Sequence, residues 1–456
     1  MSQLDLGQHG SAADGRLPLP DSTMSSHPDL LACSNEVLNI IFGESSLRKK
    51  DIKSLRLTCK EIHPAATREF AKRYLTEPFV VLNRYSLQSL VDICTHPIFS
   101  PHVQSIGFLV TALHAQGLAN RIKRIERGIH HTKLNIQELD DMDERLAEIA
   151  DYTALCKQQI QLEASGDTER LLFRALDALE HPISITVANE LESIESKSII
   201  GLPSATYSFD DLGRLAANAS DVDLRMRSFF KSLEKVVAGW SSHDCRPLNG
   251  LRIHLRRRPH TTADATSSDF LEIKNPSGIY TNLRTFHLYL DLEALRCQVT
   301  AKSIKDLFKA TTGLKELSLM TSCTGTRPIG PSTLQCITKL FGIETNFALR
   351  VLIIQDVPCT VEDLLLLMGR HKKTLVDVKF SRVTLLRSWR RCMRWLQREL
   401  ELENLHVSPL NTISHNDTTS RGMFRPGKQW LMTVSLEGKE DTHDGLSRLI
   451  LTAPSM

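Results

Sequence analysis

Two periodicities divide the chain. From residue 79 onward, short apolar segments alternate with polar positions at a period of two, as half-buried strands do. They fall at 79–82, 106–109, 183–187, 251–255, 286–290, 317–319, 351–354, 378–380 and 405–407. Six of them share the pattern L-x-x-L-x-L or a near variant. They are Leu248-x-x-Leu251-x-Ile253, Leu283-x-x-Phe286-x-Leu288, Leu314-x-x-Leu317-x-Leu319, Leu349-x-x-Leu352-x-Ile354, Leu375-x-x-Val378-x-Phe380 and Leu402-x-x-Leu405-x-Val407, with starts 35, 31, 35, 26 and 27 residues apart. The intervening stretches switch to helical spacing. Ile304, Leu307 and Phe308 share one face, as do Leu334, Ile337 and Leu340. Thr360 is placed to cap a helix carrying Val361, Leu364, Leu365 and Met368 at i, i+3, i+4, i+7, with Glu362 and Asp363 in its first turn. Trp389, Met393, Leu396 and Leu400 continue the theme after Leu386. A helix after each strand predicts parallel strands joined by right-handed crossovers.

Units of this length, each one strand, one turn and one helix, resemble leucine-rich repeats, although they are longer and less regular. The fold class expected is α/β, with an irregular leucine-rich-repeat-like βα solenoid over 181–408 that begins at 77–110. The competing fold is a conventional open α/β sheet. No Gly-rich strand-to-helix turn marks a ligand site of the kind such sheets carry, which favours the repeat.

Ahead of the repeat, residues 30–75 are dense in helix signals. Ser34 caps a first helix with Glu36 in its first turn and Val37, Leu38, Ile41 and Phe42 on its apolar side, and Gly43 stops it. A second helix is expected from Asp51, with Ile52, Leu55 and Cys59 on one stripe and Leu57 on another face. A third is expected from about Glu61 through Phe70 and Tyr74. Three helices in so short a span have too little interior to hide Leu30, Leu31, Val37, Leu38, Ile41, Leu47, Leu55 and Leu57 together, so part of this surface is expected to await a partner.

The run Leu-Leu-x(4)-Glu-Val-Leu-x-x-Ile-Phe, a loop, then Asp-Ile-x-x-Leu-Arg-Leu-Thr-Cys-Lys resembles the F-box, particularly that of filamentous-fungal proteins. The resemblance covers about 45 residues, 29–76 in domain terms. Ser34 stands where many F-boxes have proline, and serine caps a helix equally well. The resemblance implies a small three-helix module that docks on the Skp-family adaptor of an SCF-type cullin-RING ubiquitin ligase. The implied contact residues are Leu30, Leu31, Glu36, Val37, Leu38, Ile41, Phe42, Leu47, Leu55, Leu57 and Cys59, with the repeat region holding an unidentified protein substrate. Read without it, the same residues describe an ordinary helical subdomain with Val37, Leu38 and Ile41 as core. A leucine-rich-repeat scaffold outside any ligase is the alternative function.

The remaining segments read as follows. Residues 1–28, rich in Gly, Ser, Pro and Asp, are expected to be disordered. Residues 111–180 are polar and helix-favouring, expected as two or three helices projecting from or packed beside the strands, with Leu139, Met142, Leu146 and Ile149 on one stripe. Residues 261–269 and 409–428 read as loops, and 409–456 as a tail or cap.

Composition narrows the chemistry. The 456 residues carry 56 Lys+Arg against 53 Asp+Glu, a net charge of +3 that gives no field of the kind a dedicated nucleic-acid binder uses. No run approaches the roughly 18 apolar residues of a membrane span. The start of the chain has no basic-then-apolar leader, and the ten cysteines include no C-x-x-C pair. A soluble cytoplasmic or nuclear protein with reduced thiols is expected, binding neither nucleic acid nor membrane. P-loop, dinucleotide, nucleophile-elbow and zinc-protease motifs are all missing, so no catalytic residue, metal or cofactor is expected. His130 and His131, adjacent on a helix, diverge, and His243, Cys245 and His254 lack further ligands. Two basic groups stand out: Arg252 with Arg256, Arg257, Arg258 and His260, and Arg387, Arg390, Arg391, Arg394 and Arg398. Solvated surface is the expectation for both.

Overall fold

A computed structural model describes residues 33–44, 46–110, 153–154, 157–189, 199–200, 219–244, 248–255, 273, 279–291, 298–322, 338, 340, 346–386, 389–408, 410–413, 429–430 and 433–452. The chain divides into two compact units, Met1–Phe70 and Ala71–Met456. The expectations for 1–28, Leu30, Leu31, the stripe from Leu139 to Ile149, His130, His131, Cys245, the Arg256–Arg258 tract, His260, 261–269, Leu334, Ile337 and Arg387 fall outside the described residues.

The first unit is helical. Helix α1 (Asn35–Gly43) is capped by Ser34, whose hydroxyl accepts from the Val37 amide at 3.5 Å. Helix α2 (Lys49–Thr58) begins where Asp51 accepts from the Arg48 amide at 2.9 Å, and α3 spans His63–Tyr74. Leu38 and Phe42 from α1 meet Ile62, Ala65 and Ala66 in a small core, with Cys33, Ile41, Leu47, Leu55 and Cys59 packed partly against it. Arg56 ties α2 to α3: its Nε donates to Thr67 Oγ1 at 3.1 Å and its guanidinium lies 4.8 Å from the Phe70 ring centre.

The second unit is mixed α/β and built on a large, mostly parallel sheet. In chain order its elements are β1 (Phe79–Val81), α4 (Arg84–Thr95), β2 (Ser105–Leu109), α5 (Asp167–Asp177), β3 (Ile183–Ala188), β4 (Ile199–Ile200), α6 (Ala219–Asp244), β5 (Leu248–Leu255), β6 (Thr285–Asp291), α7 (Gln298–Ala310), β7 (Glu316–Ser322), β8 (Val351–Gln355), β9 (Pro358–Thr360), α8 (Val361–Arg370), β10 (Asp377–Ser381), β11 (Thr384–Leu386), α9 (Trp389–Glu399), β12 (Asn404–Val407), β13 (Leu410–Ile413), β14 (Gln429–Trp430), β15 (Val434–Glu437) and α10 (Lys439–Thr452). The eleven-stranded sheet runs β4-β1-β2-β3-β5-β6-β7-β8-β10-β12-β15. From β1 to β12 neighbours in space follow chain order and pair in parallel, without the order reversal of a doubly wound sheet. Only β15 is antiparallel, on β12.

Alternation explains why. The positions Ile106, Ile185, Leu251, Phe286, Leu317, Leu352, Val378 and Leu405 pair strand to strand, as do Phe108, Val187, Ile253, Leu288, Leu319, Ile354, Phe380 and Val407. These two ladders are buried throughout and meet the helices on one face, with Phe108 against Phe229 of α6, Phe286 against Phe308 of α7 and Phe380 against Trp389 of α9. Thr360 caps α8 as expected, accepting from the Asp363 amide at 3.1 Å.

Three features go beyond the sequence reading. The described part of 111–180 includes α5, which is the crossover between parallel β2 and β3, with Leu171, Leu172, Ala175 and Leu176 in the common core rather than on a projection. A second, four-stranded sheet, β9-β11-β13-β14, follows the last units, because each main strand turns into a second short strand in matching register. The segment expected as a tail or cap supplies β15 and α10, whose Leu446 and Leu449 are buried in the core.

Candidate functional site

Two surfaces gather the residues with functional potential. The first is the apolar exterior of the N-terminal helices. Along α1, Val37 is 43% and Ile40 68% exposed, and Leu57 of α2 is 86% exposed. The inward positions are Leu38 and Phe42, both buried in the unit's own small core. Their expected role as outward contacts is corrected on that ground: they hold α1 to α3, and a partner cannot reach them without unfolding the unit. Ile41, Leu47, Leu55 and Cys59 are partly buried. Glu36 is exposed, and its bond with the Ser34 hydroxyl holds its carboxyl below the usual carboxylate range. Ile40 is the residue sequence reasoning passed over. Its signal was present, since it lies three residues after Val37 and so on the same side of α1.

The second surface is the sheet face opposite the helices. Its residues are the polar positions between the leucines, and strand register lines them up in rows. One row reads Thr186, Arg252, His287, Ser318, Ile353, Lys379 and His406 from β3 to β12. Behind it stand Thr285, Glu316, Val351, Asp377 and Asn404, and ahead of it His254, Tyr289, Met320, Gln355 and Ser381. Tyr289, Met320, Val351 and Ile353 are half-buried and make an apolar centre, with charged side chains on either side. That division, an apolar middle with a polar rim, is the anatomy of protein-binding surfaces.

The charges around that centre are interlocked. Glu77 accepts from Thr186 Oγ1 at 2.9 Å and lies 3.6 Å from Arg252 Nη1. His287 Nε2 is 3.0 Å from Glu316 Oε1, and this bond is the main reason the Glu316 carboxyl is held low. Asp377 is pushed up by burial and by the nearby carboxylates Glu316 and Glu403, against its bond from Asn404. Beyond the row, Arg382 makes a two-point pair with Asp356 at 2.6 Å for each bond. The face thus holds fixed, mutually oriented charges of both signs, suited to recognition through complementary side chains.

Other chemistry is sparse among the described residues. No helix there is long and apolar enough to cross a membrane, and no three His, Cys, Asp or Glu residues there are grouped to hold a metal. Cys94 and Cys392 are buried thiols pushed up to about 12, which makes them poor nucleophiles. Arg390 and Arg391 lie on α9 as its spacing predicts, with Arg391 paired to Glu362 of α8 at 2.8 Å. No protein-family model matches the chain, and no curated protein sequence matches it.

Proposed function

We propose that this chain is an F-box-type substrate receptor of an SCF-type cullin-RING ubiquitin ligase, with a leucine-rich-repeat-like region behind the box. The N-terminal helices would bind the Skp-family adaptor, and the open sheet face would hold a protein to be ubiquitinated. The observation that carries the reading is the split of α1, whose Leu38 and Phe42 close the small core while Val37 and Ile40, with Leu57 of α2, remain on the outside. Exposed large apolar side chains on a unit this small are favourable only if another surface covers them. The chain order of the large sheet's parallel strands from β1 to β12, which only the two-residue β4 leaves to join the far edge beside β1, supports the repeat reading over the open-sheet alternative. The mechanism is noncatalytic: a rigid receptor raises the effective concentration of the substrate beside a charged conjugating enzyme.

Burial of Val37 and Ile40 in the adaptor would contribute on the order of 1–2 kcal/mol each. Val37→Asp with Ile40→Asp in the full chain is expected to abolish co-purification with the adaptor and with cullin, leaving the unfolding transition unchanged. Undiminished capture of the adaptor by this variant rejects the assignment. Capture of neither partner by the unsubstituted chain would favour a scaffold outside any ligase.

A further inference from the structure

The outer surface of α8 and α9 carries a pattern that the adaptor and substrate surfaces leave unused. Helix α9 sends Trp389, Cys392, Met393 and Leu396 into the core and leaves Arg391, Arg394 and Arg398 exposed. That much is ordinary amphipathicity. Three observations go further. First, the seam between the two helices is apolar in its middle: Leu366 is 47% exposed, and Trp395 lies half-buried over Gly369, where an added β-carbon would touch the indole at 3.7 Å. Leu366 sits one turn beyond Glu362 on the same stripe of α8. Second, the exposed carboxylates of the two helices are already engaged. Glu362 pairs with Arg391 at 2.8 Å and Glu399 with Lys372 at 3.4 Å, closing the two ends of the seam. Third, Lys373, Arg394 and Arg398 are exposed and have no carboxylate within ion-pair distance among the described residues. A chain that is almost neutral overall therefore concentrates uncompensated positive charge beside one apolar strip.

We propose that the seam between α8 and α9 binds an acidic protein segment that carries an aliphatic side chain. The aliphatic group rests on Leu366 and Trp395, and the flanking carboxylates face Lys373, Arg394 and Arg398. Charge complementarity selects the sign of the partner, and the seam selects a side chain in place of a base or a lipid. Nucleic-acid surfaces of this kind need exposed aromatic faces on which bases stack, and the aromatic ring of this seam, Trp395, is half-buried over Gly369. A lipid surface calls for a broader apolar face than one leucine and part of an indole. The inference stands apart from the ligase reading, because it uses neither the N-terminal helices nor the open sheet face.

The test uses the full chain and a fluorescein-labelled octapeptide of Asp and Glu with one central Leu, read by anisotropy. The same peptide with Ser for Leu, and a single-stranded polyuridine of equal charge, serve as comparators. The expected result is saturable binding of the Leu peptide, weaker by roughly tenfold for the Ser peptide and weaker still for polyuridine. Arg394→Glu with Arg398→Glu should weaken the Leu peptide by about tenfold or more with the melting temperature unchanged, since neither side chain has an ion pair to lose among the described residues. A shift in tryptophan emission on binding should disappear in Trp395→Phe. Equal binding of the Leu and Ser peptides, tighter binding of polyuridine, no binding of the Leu peptide, or an affinity unmoved by the arginine substitutions each overturns the proposal. Adaptor capture by the arginine variant is a separate readout and is expected to be intact.

Discussion

In the N-terminal unit, Leu38 and Phe42 meet Ile62, Ala65 and Ala66 in a small core, and Ile52 of α2 is buried as well. Beyond residue 71 each successive main strand instead adds two side chains to ladders that are already running. The difference is one of scaling. A stacked sheet can bury every apolar residue that arrives at the right period, because each new strand brings its own neighbour surface. A three-helix unit has a fixed and small interior, so apolar residues in excess must face outward. Val37, Ile40 and Leu57 are that excess, and the open face of the sheet, where polar residues occupy the alternate positions, has no counterpart of such density. Surplus apolar surface on the small unit therefore has a simpler meaning than a half-buried Met320 or Ile353 on the large one.

The sharpest way to test this contrast is to cut each core at its centre. Trp389 is fully buried against Phe380. Trp389→Ala should cost about 3–5 kcal/mol, read as a lower urea midpoint of the main transition. Leu38→Ala should cost roughly 2–4 kcal/mol, but in the small core only. Hydrogen exchange is expected to show faster exchange across α1 and α2 with β5–β8 unchanged. Should Leu38→Ala lower protection equally in both regions, the two cores unfold as one and the comparison fails.

How much of this was legible beforehand follows from the same physics. All nine alternating segments form strands, because alternation is a local signal strong enough to survive in three to five residues. The second sheet was invisible: β9, β11 and β13 read PCT, TLL and LNTI, with no apolar–polar alternation, and Pro358 reads as a turn. Likewise β4 returns to the far side of β1 with two residues, a placement no pattern encodes. On α1, apolar residues at 37, 38, 40, 41 and 42 cover more than half of the helix circumference, so which of them face out depends on where α3 lies. The open-face residues are the unconstrained positions of L-x-x-L-x-L. They are readable singly, but become a surface only once register aligns Arg252 with His287 and Lys379 with Ile353.

The large unit also contains a titratable weak point. His371 follows the end of α8, is buried, and stacks on Phe347 at 5.4 Å, and its Nε2 has no hydrogen-bond partner among the described residues. Burial, with the Arg370 guanidinium second, lowers the imidazole to about 4, against a backbone bond with Phe347. An unfolded histidine titrates near 6.5, so between these values the unfolded chain holds more protons than the folded one. Stability is therefore complete above about pH 6.5 and falls as the pH drops toward 4, by up to about 3 kcal/mol. The difference between the pH–stability curves of the unsubstituted chain and His371→Leu isolates this group from the carboxylates. A constant difference across pH 4–6.5 would show that His371 does not titrate this way.

The smallest effect concerns how neighbouring units are locked together. Asp356 and Arg382 occupy the same position in consecutive units, each just after its main strand and each at positive φ, 56° and 50°. A left-handed backbone at a residue with a side chain costs on the order of 1 kcal/mol, and the pair it permits is half exposed, worth about 0.5–1 kcal/mol. The two nearly cancel, which predicts an order among substitutions. Arg382→Ala keeps the strained backbone and loses the pair, so it should destabilise by about 0.5–1 kcal/mol. Arg382→Gly loses the same pair but relieves the backbone, and should be about 0.5 kcal/mol more stable than the alanine variant after the entropy of a glycine in the unfolded chain is counted. High salt should bring the unsubstituted chain toward the alanine variant, because only the ion pair is screened. If glycine proves the worse of the two, the turn holds no strain and the loss in both variants is that of the charge pair.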